Sequence, residues 1–158
     1  MAKWLTLGSS LALAMALALS LGSGHWKPRN PPVVASRSIE THRPVPKEVE
    51  AILGRSCRDC HSNQTRWPWY SGLPVVSERL RQEVDKGRKQ MNLSDWNTKI
   101  AEGADEEQGT LNGICENVRT GTMPPVWYRR VHRGSTLTQA ETDTVCRWVA
   151  RADLTPAQ

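Results

Sequence analysis

Polar and apolar positions divide the chain into three parts. From Leu5 to Leu21 the sequence is built on Leu and Ala and is apolar on all faces. Such a run at the extreme N-terminus predicts an export signal or an uncleaved membrane anchor over residues 1–22, rather than a buried core helix. Lys3 supplies a weak positive flank, and Gly22, Ser23 and Gly24 are small enough to follow a cleavage site. Seventeen residues lie at the short edge of a membrane span. Either reading places the remainder outside the cytoplasm, in the periplasm or an equivalent compartment. Residues 23–46 then carry Pro28, Pro31, Pro32, Pro44 and Pro46 among Gly, Ser and Arg, which predicts an extended, mobile linker. His25 and His42 fall in it and are expected to be solvated.

From residue 47 to 158 helical spacing takes over. Val49, Ile52 and Leu53 share one face of a first helix that starts near Pro46 and runs into Cys57. Val76, Leu80 and Val84 recur every four residues in a second helix over about Val75–Lys86, with Gly87 as its C-cap. Ser94 is placed to cap a short third helix holding Trp96 and Ile100. A fourth, about Asp105–Arg119, carries Leu111, Ile114, Cys115 and Val118. The last has the clearest start, a Thr138/Glu141 capping box, and its apolar face is Val145, Trp148 and Val149. No strand alternation is evident, so the expected class is all-α, a bundle of about five short helices.

Composition and charge sharpen this picture in two ways. Only 38% of residues are hydrophobic, with seven Trp and no Phe, and part of that share sits in the N-terminal run. The helical part therefore has a lean core that a large apolar cofactor would help to fill. The net charge is +5, but residues 48–158 hold 15 basic and 15 acidic side chains. The excess lies in the N-terminal part, so the domain is not a basic nucleic-acid binder. Lys27 and Arg29, just past the apolar run, are suited to anionic lipid headgroups, although charged linkers are more often only solvated.

The chemistry is concentrated in Cys57-Arg58-Asp59-Cys60-His61. Cys-x-x-Cys-His is the attachment sequence of c-type haem: two thiols on one helical turn reach the two vinyl groups, and the adjacent imidazole is carried beneath the iron. A thioredoxin-like pair would need a βαβ setting. A zinc site would need four suitably spaced ligands, and Cys115 and Cys146 are remote. Met123, in Thr120-Gly121-Thr122-Met123-Pro124-Pro125, is the chosen sixth ligand, since Gly121 lets the chain turn and the prolines stiffen the loop. Met91 and His132 are its rivals. Arg66, Trp67, Trp69 and Tyr70 follow closely and are candidates for contacts with the haem edge and propionates, with simple core packing as the alternative. The second ring nitrogen of His61 needs an acceptor, expected from a carbonyl of the Pro68–Pro74 segment. Cys115 and Cys146 form an even remainder, which in an exported protein suggests a disulfide; two separate buried thiols are the alternative.

These stretches resemble the small bacterial haem-binding domain proteins related to class I c-type cytochromes. The likeness spans about residues 46–150. It rests on Cys57-x-x-Cys60-His61-Ser62-Asn63, Thr65-Arg66-Trp67-Pro68-Trp69-Tyr70-Ser71, Gly87-Arg88, Asn92-x-Ser94-x-Trp96, Met123-Pro124-Pro125, His132, Leu137-Thr138, Glu141 and Trp148. The resemblance implies one covalent haem c, His61 and Met123 as axial ligands, and crossing first and last helices. A six-coordinate haem points to one-electron transfer between redox protein partners, without enzymatic turnover. Two other readings stand beside it: a haem-bearing accessory subunit of a membrane redox complex, and a peroxidase-like or gas-sensing domain, which would need Met123 off the iron.

Overall fold

Every regular element among the described residues is helical, in keeping with the expected class. The structure, a computed structural model, describes residues 28–152. The N-terminal apolar run, His25 and Lys27 lie outside them. Among the described residues no helix is long and apolar enough to cross a membrane.

Among the described residues eight α-helices occur in order: α1 Ile39–His42, α2 Lys47–Ser56, α3 Arg58–His61, α4 Pro74–Gln90, α5 Asn97–Glu102, α6 Ala104–Arg119, α7 Val126–Val131 and α8 Gln139–Ala152. Short 3-10 turns lie at Ala35–Arg37 and Trp69–Gly72. Five of the helices answer to the periodic segments. The three additional ones, α1, α3 and α7, run only four to six residues. That is too short for apolar spacing to announce them, and tertiary contacts must hold them. Among the described residues, 28–29 with 67–83 form one small unit, and 30–66 with 84–152 form the main one.

The main unit is built on α2, α6 and α8. Helix α2 packs on α8, α8 on α6, and α5 on α6. Val49, Ile52 and Leu53 of α2 meet Leu111, Ile114 and Val118 of α6 and Val145, Trp148 and Val149 of α8 in one core. Leu53 and Leu111 are completely buried, each contributing roughly 1.5–3 kcal/mol. A disulfide between Cys115 and Cys146 links α6 to α8. Helix α8 begins with the capping box: the Thr138 N–H donates to Glu141 Oε2 at 2.8 Å, and the Glu141 N–H donates to Thr138 Oγ1 at 3.3 Å. The same Glu141 carboxylate takes Arg55 of α2 at 2.8 Å.

The structure differs from the sequence reading over the second half of the proline-rich segment. Ile39 is completely buried in the core, and its N–H donates to Leu93 O at 3.0 Å. Arg43 is buried and grips Glu107 through two hydrogen bonds of 3.0 and 2.8 Å, while Trp96 Nε1 donates to the same carboxylate at 2.6 Å. His42 is not free in solvent either, since its Nε2 meets Asn97 Oδ1 at 2.9 Å. Prolines here bend a segment that belongs to the domain, with Pro44 O accepting from Trp148 Nε1 at 2.9 Å. Burial would raise the Glu107 carboxyl, but the hydrogen bonds from Arg43 and Trp96 and the guanidinium charge outweigh it and hold it below its usual range.

Candidate haem site

Helix α3 is a single turn, and with its N-cap Cys57 it is the motif itself. The His61 N–H donates to Cys57 O at 2.9 Å, which brings the two thiols and the imidazole onto successive positions of that turn. Cys57 and Cys60 are half-buried and stand outside any disulfide. Burial, reinforced by the neighbouring Cys60, pushes the Cys57 thiol up to about 12. A redox-active dithiol needs the opposite, a stabilised thiolate. Cys115 and Cys146, which a four-ligand zinc site would require, are bonded to each other.

His61 is oriented from behind by the end of α4. Its Nδ1 lies 2.9 Å from Gly87 O and 3.3 Å from Met91 O. A carbonyl can only accept, so Nδ1 carries the proton and Nε2 keeps its lone pair. Burial also lowers the affinity of the ring for a second proton. The acceptor is therefore Gly87 O and not, as expected, a carbonyl of the Pro68–Pro74 segment, and the reason is steric. A Cβ at Gly87 would stand 2.6 Å from Cys60 O and 3.2 Å from Cys60 Cβ. Helix α4 comes this close to α3 only because residue 87 lacks a side chain. Gly87 is not a C-cap, since α4 continues to Gln90.

The residues after His61 are stapled to the same strip of chain. Arg88 donates to Ser62 O at 2.8 Å and to Thr65 Oγ1 at 2.9 Å. Leu93 N–H donates to His61 O at 2.8 Å, and Asn92 Nδ2 to Asn63 Oδ1 at 3.0 Å. Ser94 accepts from the Asn63 N–H at 3.1 Å and does not cap α5, whose N-cap position is Trp96. The separated stretches Ser62-Asn63, Gly87-Arg88 and Asn92-x-Ser94 thus form one support for the motif.

The two residues between the cysteines are anchors as well. Arg58 pairs with Glu40 of α1 and donates to Gln64 Oε1 at 2.9 Å. Asp59 is buried and accepts from the Arg66 N–H, Nε and Nη2 at 3.0, 3.1 and 3.1 Å, and from Tyr128 Oη at 2.8 Å. Burial alone would raise the Asp59 carboxyl, but the hydrogen bonds from Arg66 and Tyr128 and the Arg66 charge lower it. Tyr128 shifts the other way, its phenol held up by burial and by the carboxylate it donates to.

The predicted site residues fall into groups. Cys57, Cys60, His61 and Arg66 come together, but the Arg66 guanidinium is engaged by Asp59 and Gly54 O. Trp67, Trp69 and Tyr70 belong to the small unit, where Trp69 and Tyr70 meet edge to face at 5.6 Å and Trp69 is 85% exposed. Met123 is half-buried, and its N–H donates to Asn117 O at 3.1 Å. Five residues on, Tyr128 in α7 reaches Asp59. His132 stacks on the Tyr128 ring at 4.1 Å. Asp59, Arg88, Asn92 and Tyr128 carry no role in the sequence reading, and Gly87 only that of a helix C-cap.

The sequence model of the haem-binding domain family matches residues 17–151, most of the chain. The site is that of a haem-binding protein, and the chain belongs to the haem-binding domain family. The match begins well before residue 46, in agreement with the packing of the 35–46 segment. No curated protein and no solved structure matches the chain.

Proposed function

We propose that the chain is a mono-haem c-type cytochrome that passes single electrons between redox proteins outside the cytoplasm. The observation that carries this reading is the state of His61: neutral, with Nδ1 held by Gly87 O and Nε2 left as the donor atom, directly after two cysteines that stand outside any disulfide on one turn. This donor set fits a haem held by Cys57 and Cys60 with His61 Nε2 toward the iron. When bound, the haem supplies a one-electron ferrous/ferric couple. The residues of the chain supply the rest. Gly87 and Met91 carbonyls fix the imidazole plane, and Arg88, Asn92 and Ser94 hold the turn that follows it.

Met123 is the proposed sixth ligand. The Met91 carbonyl lies on the Nδ1 side of His61, the side away from Nε2, and Met91 itself is packed in the main core. The His132 ring is engaged by stacking on Tyr128. Met123 sits half-buried in the segment leading into α7, the helix that reaches back to the motif through Tyr128. The Cys115–Cys146 disulfide supports an oxidising compartment. The test is the spectrum of the pyridine adduct of the denatured protein, followed by a potentiometric titration of the native one. Haem that survives acid–acetone extraction and a low-spin, one-electron couple are expected. Extractable haem, or a high-spin five-coordinate ferric spectrum at neutral pH, overturns the reading.

A further inference from the structure

Asp59 stands at a non-ligating position of the motif, yet it is buried and accepts four hydrogen bonds. Three come from Arg66, only seven residues away, and stiffen the turn locally. The fourth comes from Tyr128, 69 residues away, on a helix of only six residues. Such a helix cannot hold its place by its own hydrogen bonds. Tyr128 is its buried residue, while Val126, Trp127 and Val131 on the same helix are exposed. The attachment of α7 to the motif is therefore concentrated in one side chain, and the Met123-Pro124-Pro125 segment leads directly into that helix.

We infer that Tyr128 and Asp59 act as positioning residues: their hydrogen bond fastens the Met123 segment to the haem-attachment turn and so sets how firmly the methionine is presented to iron. Arg66 serves this bond by fixing the carboxylate plane, which gives it a role other than propionate binding. The ring of Tyr128 keeps its stacking partner His132 whichever group ends the ring, so the hydroxyl can be removed without opening the core. The inference rests on the ligation reading for Met123, and the test separates the two.

The experiment uses the haem-loaded full chain and the substitutions Tyr128→Phe, Asp59→Ala and Met123→Ala. Two quantities are followed: hydrogen exchange of the Met123, Arg129 and His132 amides, and the sulfur-to-iron charge-transfer band of the ferric form. Tyr128→Phe is expected to leave haem content and helicity at parent levels. It should speed exchange of the three amides on the order of tenfold, as expected for one lost hydrogen bond to a charged acceptor, and weaken the band. The band is the readout that a merely structural role would leave unmoved. The double variant Tyr128→Phe/Asp59→Ala should change the exchange no further than Asp59→Ala alone, because both remove the same bond. Unchanged exchange and an unchanged band in Tyr128→Phe overturn the inference, and this variant decides alone where Asp59→Ala impairs attachment. A parent without the band, with a spectrum identical to that of Met123→Ala, overturns the ligation reading instead; the amide exchange still judges whether the clamp holds α7.

Discussion

Replacing Gly87 by alanine sets two effects of opposite sign against each other. Residue 87 lies inside α4, where alanine is favoured over glycine by about 1 kcal/mol. The added methyl would stand 2.6 Å from Cys60 O, about 0.8 Å short of ordinary contact, and 3.1 Å from Cys60 C. Both obstacles are backbone atoms of the Cys57–His61 turn, so no flexible side chain can yield. Pushing α3 and α4 apart costs about 1–3 kcal/mol of overpacking. It also stretches the 2.9 Å hydrogen bond from His61 Nδ1 to Gly87 O, worth another ~1 kcal/mol. The net expectation for Gly87→Ala is a loss of roughly 1–3 kcal/mol, or about 5–15 °C in Tm for a domain of this size. Thermal unfolding of the haem-loaded protein by circular dichroism measures it, alongside haem per polypeptide, which should fall. Gly109 and Gly113 of α6 provide the control, because a Cβ at either meets nothing within 4 Å. Alanine there should raise Tm through the propensity gain of about 0.5–1 kcal/mol each. A Gly87→Ala variant as stable as parent, or more so, refutes the close-approach argument.

Glu107→Ala leaves the buried Arg43 without its carboxylate and should cost about 3–5 kcal/mol at pH 7, measured by urea unfolding. The carboxyl of Glu107 is depressed in the folded state, so its contribution is fully present above the unfolded glutamate value of about 4.3. It is lost as pH falls through the folded value. The gap between parent and Glu107→Gln should therefore be constant from pH 5 to 8 and narrow at pH 3 (roughly the range set by those values); a gap that widens on acidification contradicts the assignment. Replacing Cys115 and Cys146 by serine should cost about 3–4 kcal/mol, from the loop closed between positions 31 apart. Reductant should bring the parent melting curve down to that of the double serine variant and leave the variant unchanged. Met123→Ala should abolish the sulfur–iron band and lower the reduction potential; a band that survives the substitution would reassign the sixth position to Met91, and a parent without the band would reassign it to His132.

What the sequence determined by itself is what local pattern and local chemistry express. Val49/Ile52/Leu53 and Val145/Trp148/Val149 announced α2 and α8 because apolar spacing over several turns has one helical solution. Thr138 and Glu141 announced the start of α8 because a capping box closes within four residues. The five-residue run from Cys57 to His61 announced its chemistry because all its reactive groups lie on one turn. The tertiary structure decided what depends on partners distant in the chain. Proline content made residues 23–46 read as a linker, whereas the carboxylate of Glu107, 64 residues past Arg43, draws the second half of that segment into the core. Gly87 read as a helix stop, and only the arrival of Cys60 against it reveals a contact surface. Asp59 falls at an unspecified position of the motif, and nothing in the sequence marks it as a buried acceptor until Tyr128 is brought to it. A carboxylate, a glycine or a tyrosine has no periodicity of its own, and its role is set by the single group that folding places within three ångströms.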